Sequence, residues 1–127
     1  MSVKAVGIAT DLGKYNDYIV DNLQNLDALL LEANHDIRML QVGSYPYYLK
    51  QRILGDRGHL SNENAGKLLC RLLHDDMKAV FLGHLSKENN RPEIAMLETY
   101  NLLSQSGVDV GKDMTLQVAD RYKPTLF

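Results

Sequence analysis

Four short apolar segments of the sequence have the pattern of buried β-strands. The first covers residues 3–9 and precedes Asp-Leu-Gly, and the others read ALLLE (28–32), AVFLGHL (79–85) and TLQVADR (115–121). The two middle segments are apolar at successive positions, which is typical of strands that are covered on both faces in a parallel sheet. The sequence therefore predicts a parallel sheet whose strands are joined by helices.

The segments between these strands repeat their apolar residues at helical spacing. Ser44 and Pro46 are suited to a helix start, so a short helix is expected to run to about residue 54. Pro92 and Gly107 mark the start and the stop of a longer helix. Two further helices are predicted over KYNDYIVDNLQNL (14–26) and SNENAGKLLCRLLHDD (61–76). The order βα, β, αα, βα, β predicts one α/β domain with right-handed crossovers.

Composition and charge narrow the function classes. The 127 residues fit one domain, and no apolar run approaches the ~18 residues of a membrane helix. The net charge of −2 gives no global attraction to nucleic acid, so any such surface must be local. Lys50, Arg52 and Arg57 form the best candidate, with a solvated helix end as the alternative. Cys70, the single cysteine, lies among leucines and is expected to be a core thiol. Without an internal disulfide or a leader-like start, the cytoplasm is the expected location.

Carboxylates and imidazoles follow the predicted strands or precede the helices. They include Asp11, the stretch LEANHD with Glu32 and His35, and the histidines His59 and His84. Alone, Asp11 is most simply a turn former and each histidine a structural residue. Together they would meet at one rim, because the carboxyl ends of parallel strands lie at the same edge of a sheet. These are ligand types that Zn²⁺, Mn²⁺ and Fe accept, so a hydrolytic metal site is a hypothesis.

The motifs ATDLG, LLLEANHD, GHLSNENA and GHLS resemble the second half of a metallo-β-lactamase-fold hydrolase, with the YycJ/WalJ-like branch as the nearest match. The paired GHLSNENA and GHLS also resemble the tRNA 3′-processing nucleases of that superfamily. The resemblance implies one βα half of a four-layer αββα sandwich, with a mostly parallel or mixed sheet and helices on one face. It also implies a dinuclear-metal phosphodiesterase or nuclease that acts on nucleic acid.

The same resemblance implies a role for each strand-end residue. Asp11 would bridge two metal ions and His84 would be a metal ligand. Glu32 would orient His59, the catalytic acid, and we expect these two side chains to lie within hydrogen-bond reach. For His35, two roles remain open, a polar group at the metal rim or a support for its loop. Ser86 and Arg57 are candidates for contact with the substrate, Ser86 through a phosphate oxygen.

One part of the family pattern does not occur in these residues. The His-x-His-x-Asp-His cluster, which supplies most of the metal ligands, is absent from the sequence, and Asp11 and His84 alone cannot complete a tetrahedral site. The expectation is half of a catalytic domain, inactive and weakly metal-binding by itself. Its apolar sheet face would then pair with a missing N-terminal half or with a second copy in a homodimer. A non-catalytic interaction module and a hydrolase of small esters or thioesters remain alternatives.

Overall fold

A computed structural model of the protein describes residues 5–10, 12–55, 58–74 and 77–119. Its sheet has four strands in the order β1-β2-β3-β4, and every neighbouring pair is parallel. The predicted α/β class with a parallel sheet is therefore confirmed. The strands are β1 (Val6–Ala9), β2 (Ala28–Glu32), β3 (Ala79–Gly83) and β4 (Thr115–Val118).

Five helices connect the strands within the described part of the chain. They are α1 (Asp17–Asn22), α2 (Ile37–Val42), α3 (Tyr47–Leu54), α4 (Asn62–Leu72) and α5 (Pro92–Gln105). Four of them correspond to predicted helices, although each begins later or ends earlier than the sequence predicted. Helix α2 was not predicted; it begins where the Asp36 side chain accepts a hydrogen bond from the backbone N–H of Met39. None of the helices described is long and apolar enough to cross a bilayer.

The main core lies on the sheet face that carries Leu29, Leu31, Val80 and Leu82, all of them buried. Strand register places these residues on one face, because side chains alternate along a strand and the four positions are in step across the β2–β3 pair. The same hydrophobic cluster contains the buried stripes of α4 and α5, which include Leu68, Leu69, Leu72, Ala95 and Leu103. The helices that build this core therefore cover one face of the sheet.

The opposite sheet face is apolar but unevenly exposed. Ala28, Ala79 and Phe81 are buried there and form a second, smaller hydrophobic cluster. On the neighbouring strand β1, Val6 and Ile8 expose 50% and 67% of their surface. Exposed apolar surface on this face is thus concentrated on β1 and does not extend over the whole sheet.

The loops at the carboxyl edge of the sheet are joined by backbone hydrogen bonds. The N–H of Ala33 donates to the carbonyl of Gly83 at 3.0 Å, and the N–H of Asn34 donates to the carbonyl of Leu60 at 2.9 Å. The pairing continues into an isolated parallel bridge between His35 and Ser61. Because these bonds connect the ends of β2 and β3 to the segment before α4, they bring three of the sequence motifs to one rim.

Candidate active site: a buried glutamate shared by two histidines

Glu32, the last residue of β2, is fully buried and binds two imidazoles through one oxygen. Its Oε2 lies 2.7 Å from His59 Nδ1 and 2.6 Å from His84 Nδ1. An ionised carboxylate can only accept hydrogen bonds, so with Glu32 ionised both Nδ1 atoms carry hydrogen and donate. The expected hydrogen-bond contact between Glu32 and His59 is confirmed. That His84 shares the same oxygen was not anticipated.

This arrangement fixes the tautomer of both rings. With the hydrogen on Nδ1, the lone pair of a neutral imidazole lies on Nε2, the nitrogen that can bind a metal or exchange a proton. The rings of His59 and His84 stand edge to face, with centroids 5.3 Å apart and planes at 69°. The site therefore holds two imidazoles, nearly perpendicular to each other, that both direct Nδ1 toward one buried carboxylate.

The same three residues are the group in the described chain that could hold a metal ion. Ligand atoms of Glu32, His59 and His84 lie within 4.8 Å of one another. Two ligand atoms of a tetrahedral zinc ion would be about 3.3 Å apart, given bonds of ~2.0 Å, whereas the N–O distances here are 2.6–2.7 Å. The observed geometry is thus that of hydrogen bonds, in which the carboxylate orients imidazoles for work on their other side. The metal-ligand role of His84 stays a prediction, and Asp11 lies outside the described residues.

Gly58 explains how the loop after α3 delivers His59. A Cβ atom at this position would lie 2.0 Å from the carbonyl oxygen of Ile53, so only glycine fits. The close approach lets the backbone N–H of His59 donate to that carbonyl at 3.1 Å. The loop is thereby attached to the end of α3, and the ring of His59 is held over Glu32.

His84 lies directly after β3 in a left-handed backbone conformation, with φ of 55°. Its carbonyl accepts a hydrogen bond from Asn34 Nδ2 at 2.9 Å. The backbone N–H of Ser86 in turn donates to the carbonyl of Asn34 at 2.7 Å. A single residue of the loop after β2 therefore binds the loop after β3 at two points.

His35 is 1% exposed and lies behind the site. Its Nδ1 is 3.3 Å from Asn34 Oδ1, and its Nε2 has no hydrogen-bond partner among the described residues. Burial, followed by the charge of the neighbouring His59, lowers the pKa of His35 to about 4. The ring is therefore neutral at physiological pH.

A cleft of about 470 Å³ opens in front of His59 and His84. One wall comes from α3 and the residues before it, and carries Arg52. The opposite side carries Ser86 and Lys87. Ser86 Oγ accepts from the backbone N–H of Asn89 at 3.1 Å, which leaves its hydroxyl hydrogen to donate elsewhere. The remaining lining residues are Asn34, Tyr45, Leu49, Ile53, Gly58 and Leu85.

The predicted basic cluster is only partly placed at this cleft. Arg52 lines it, whereas Lys50 donates to the backbone carbonyl of Gln41 at 2.8 Å. Arg57 lies outside the described residues. Lys87 was not singled out from the sequence, although it follows directly on the GHLS motif, and that position was a usable signal.

Asn62 and Asn90 form a buried amide pair beneath the rim that sequence reasoning missed. Each side-chain nitrogen donates to the other side-chain oxygen at 2.9 Å. Asn90 Nδ2 also donates to the carbonyl of Ala33 at 2.8 Å, and Asn90 Oδ1 accepts from the backbone N–H of Arg91. The pair joins the start of α4 to the start of α5 and to the end of β2.

The chain is similar in sequence to proteins that are named exodeoxyribonucleases. The chain is 46% identical over 110 residues to exodeoxyribonuclease WalJ of Streptococcus pneumoniae, an alignment that covers 87% of the chain and 41% of the relative. It is 34% identical over 122 residues to exodeoxyribonuclease YycJ of Bacillus anthracis, covering 96% of the chain and 46% of the relative. The chain spans less than half the length of these curated relatives. No protein-family model matches it, and no solved structure is significantly similar to it.

These relatives support part of the resemblance seen in the sequence. The similarity to proteins named YycJ and WalJ is confirmed, and their names indicate a nuclease-type hydrolase. The metallo-β-lactamase fold, the half-domain and the individual residue roles remain predictions.

Proposed function

We propose that this chain forms the acid–base side of the active site in a metal-dependent DNA exonuclease of the metallo-β-lactamase fold. The observation that carries the proposal is the hydrogen bonding of His59 and His84 to one oxygen of the buried Glu32. The nuclease names of relatives at 34–46% identity support the substrate class.

His59 would act as the general acid. Glu32 holds Nδ1–H of His59, and a protonated ring would give its Nε2 hydrogen to the oxygen that leaves when the P–O bond breaks. Proton transfer by a positioned side chain of this kind contributes typically 10²–10⁴-fold to a rate. Glu32 would keep the ring aligned and stabilise its positive charge before the transfer.

Metal ions would be held by Asp11 and His84 from this chain. When bound, they would activate water and neutralise charge on the scissile phosphate. The hydrogen bond of His84 Nδ1 to Glu32 supports this role, because Nε2 would then be the nitrogen that holds the metal. Because the sequence contains no His-x-His-x-Asp-His cluster, further ligands must come from elsewhere, and the chain alone should bind metal weakly and be inactive.

The cleft suits a nucleotide at a strand end. Arg52 and Lys87 are cationic groups on its two sides, and the hydroxyl of Ser86 can donate to a phosphate oxygen. Tyr45, with its aromatic ring, offers a surface for a base or sugar. A phosphate between these groups would lie in front of His59 and His84.

The rest of the active site would come from a further part of the same protein or from a second copy. We propose that the described sheet is one half of a metallo-β-lactamase-type domain, in line with the 41–46% of each relative that it matches. A chimera tests this arrangement. In it, the matched 110 residues of the pneumococcal relative are replaced by those of this chain, and DNA cleavage is assayed with Mn²⁺ or Zn²⁺.

We expect the chimera to degrade DNA only when metal is present. His59→Ala should lower kcat by about 10²–10⁴-fold with little change in KM, the loss typical of a general acid. His74→Ala is the matched control, because His74 binds the backbone carbonyl of Leu26, away from the cleft. A folded chimera without activity, or equal losses in the two variants, would contradict the proposal.

The incomplete ligand set also keeps a second function open, a non-catalytic α/β interaction module. The chimera separates the two functions, because the chain alone should bind Zn²⁺ weakly under both. An active chimera supports the nuclease, and an inactive, folded chimera supports the module. Tight, stoichiometric Zn²⁺ binding in a calorimetric titration of the chain alone would contradict the module.

A further inference from the structure

The conformation of His84 requires an explanation beyond strand geometry. A non-glycine residue with φ of 55° is uncommon, and such a residue persists when its surroundings impose the conformation. The left-handed turn at the end of β3 sends the ring of His84 back toward Glu32. In a continued strand, side chains would alternate between the faces, and because Glu32 pairs with Gly83, residue 84 would lie on the sheet face opposite to Glu32.

Asn34 supplies the contacts that impose this turn. Its Nδ2 donates to the carbonyl of His84, and its own carbonyl accepts from the N–H of Ser86. The two bonds hold the peptide groups on either side of Leu85. Asn34 is itself fixed, because its N–H donates to the carbonyl of Leu60.

The orientation of the Asn34 amide follows from its partners. A backbone carbonyl can only accept, so the atom 2.9 Å from the carbonyl of His84 must be the NH₂ group. The oxygen then faces His35 Nδ1 at 3.3 Å, which makes Nδ1 the protonated nitrogen of that ring. The two assignments are mutually consistent, because a neutral His35 with hydrogen on Nδ1 would donate to the amide oxygen and so support the orientation in which the NH₂ group binds His84.

We propose that Asn34, with its amide oriented by His35, is a positioning residue that directs the ring of His84 onto Glu32. Asn34 acts through His84 and takes no part in proton transfer. The reaction that it serves rests on the proposed function, but the positioning itself can be measured in this chain without substrate or metal.

The test reads the ring tautomers directly. Long-range ¹H–¹⁵N spectra of the chain are recorded at mildly alkaline pH, where an ordinary imidazole with a pKa of ~6.5 is neutral. In the unaltered protein, His59 and His84 should both show hydrogen on Nδ1. Asn34→Asp replaces the donor by a carboxylate that repels the carbonyl of His84. The Nδ1–H form of His84 should then fall below about half of the population, while His59 keeps its form.

Asn22→Asp is the matched control, since Asn22 Nδ2 donates to the carbonyl of Tyr18 at 2.7 Å on α1, outside the site. It should leave both ring spectra unchanged. An unchanged His84 spectrum in folded Asn34→Asp, or equal changes at His59 and His84, would overturn the proposal. Failure of the nuclease assay would leave this result unaffected, so the two proposals fail separately.

Substitution of His35 provides a second, independent test that remains available if Asn34→Asp does not fold. His35→Asn keeps an N–H donor at the position of Nδ1, whereas His35→Leu removes it. We expect His35→Leu to shift the His84 spectrum toward that of the Asn34 variant and to speed hydrogen exchange of the Ser86 amide. His35→Asn should restore both. Identical spectra for the two His35 variants would contradict the role of His35, and no effect from either would contradict the proposal as a whole.

Discussion

At the scale of single residues, Glu32 shows how burial and function depend on each other. The side chain of Glu32 is 0% exposed. Burying an ionised carboxylate there without hydrogen-bond partners would strongly destabilise the fold, because the charge is removed from water. Two charge-assisted hydrogen bonds compensate it, each worth about 1.5–3 kcal/mol. The histidines that satisfy the carboxylate are the same groups that face the cleft. The chemistry of the site and the stability of the sheet edge therefore rest on the same contacts.

His35 and Glu98 should give the fold opposing dependences on pH. The pKa of folded His35 is about 4 against an ordinary 6.5, so the unfolded chain binds more protons between these values. The free energy of unfolding therefore falls as pH drops through this window, by at most about 3 kcal/mol. For Glu98 on α5, burial and then the nearby Asp36 carboxyl raise the pKa to about 7. The folded state then takes up the proton first, and acid adds stability, although partial exposure screens this effect.

Two substitutions separate these contributions in urea denaturation at about pH 5 and pH 7.5, on either side of the ordinary imidazole pKa. The difference in the free energy of unfolding between His35→Asn and the unaltered protein should favour the variant more at the lower pH than at the higher pH. Glu98→Gln should show the opposite change, with its relative stability greater at the higher pH. Parallel stability differences at both pH values, in either variant, would refute the assigned protonation states.

At the scale of elements, the sequence predicted what depends on local pattern. The strands followed from apolar runs, and α4 and α5 from apolar stripes. The contact of Glu32 with His59 was expected from the family resemblance, because His59 lies in the loop before α4 and at no strand end. The parallel strands by themselves bring Glu32 next to the end of β3, which His84 follows. Helix α2 has only six residues, too few for a clear periodic pattern. The role of Asn34 depends on a bond to a residue 50 positions away, which no local pattern encodes.

Substitution in the Asn62–Asn90 pair tests most directly how α4 and α5 are joined to each other and to the end of β2. Asn62→Leu removes the two buried hydrogen bonds of the pair and the hydrogen bond between Asn62 and the Glu98 carboxyl, while the atoms of Asn90 keep partners at Ala33 and Arg91. We expect the free energy of unfolding to fall by about 2–3 kcal/mol, since a net hydrogen bond is worth ~1 kcal/mol. Thermal and urea denaturation would measure the loss.

Asn64→Leu is the control for this change. Asn64 is only partly buried, and its contact with Ser61 uses the backbone N–H, which leucine retains. This variant should stay within about 0.5 kcal/mol of the unaltered protein. Comparable losses from the two substitutions would show that the buried pair has no special part in joining α4 to α5.

At the scale of the whole molecule, the exposed residues of β1 bear on the question of a partner. Burial of Phe81, Ala28 and Ala79 leaves Val6 and Ile8 as the large exposed hydrophobic side chains on that face of the described strands. Since a fully buried side chain of this size gains about 1.5–3 kcal/mol, covering the exposed parts of both would contribute about 2–4 kcal/mol per chain, or about 4–8 kcal/mol for a dimer that covers both copies. A homodimer must also overcome roughly 4–15 kcal/mol of lost translational and rotational freedom. Contact with another part of the same polypeptide, as proposed above, would avoid that loss.

We accordingly expect the chain alone to form at most a weak, concentration-dependent homodimer through β1. Light scattering over a rising concentration series should show the average mass increase slowly, and Ile8→Lys should abolish the increase because it places a charge on the contact. Leu97→Lys is the matched control, since Leu97 on α5 is 61% exposed, close to the 67% of Ile8. A tight dimer that persists in Ile8→Lys would place the interface elsewhere. A mass that stays monomeric at every concentration would contradict the homodimer. The proposed contact within one polypeptide would then remain, and Ile8→Lys should lower the stability of the folded chimera.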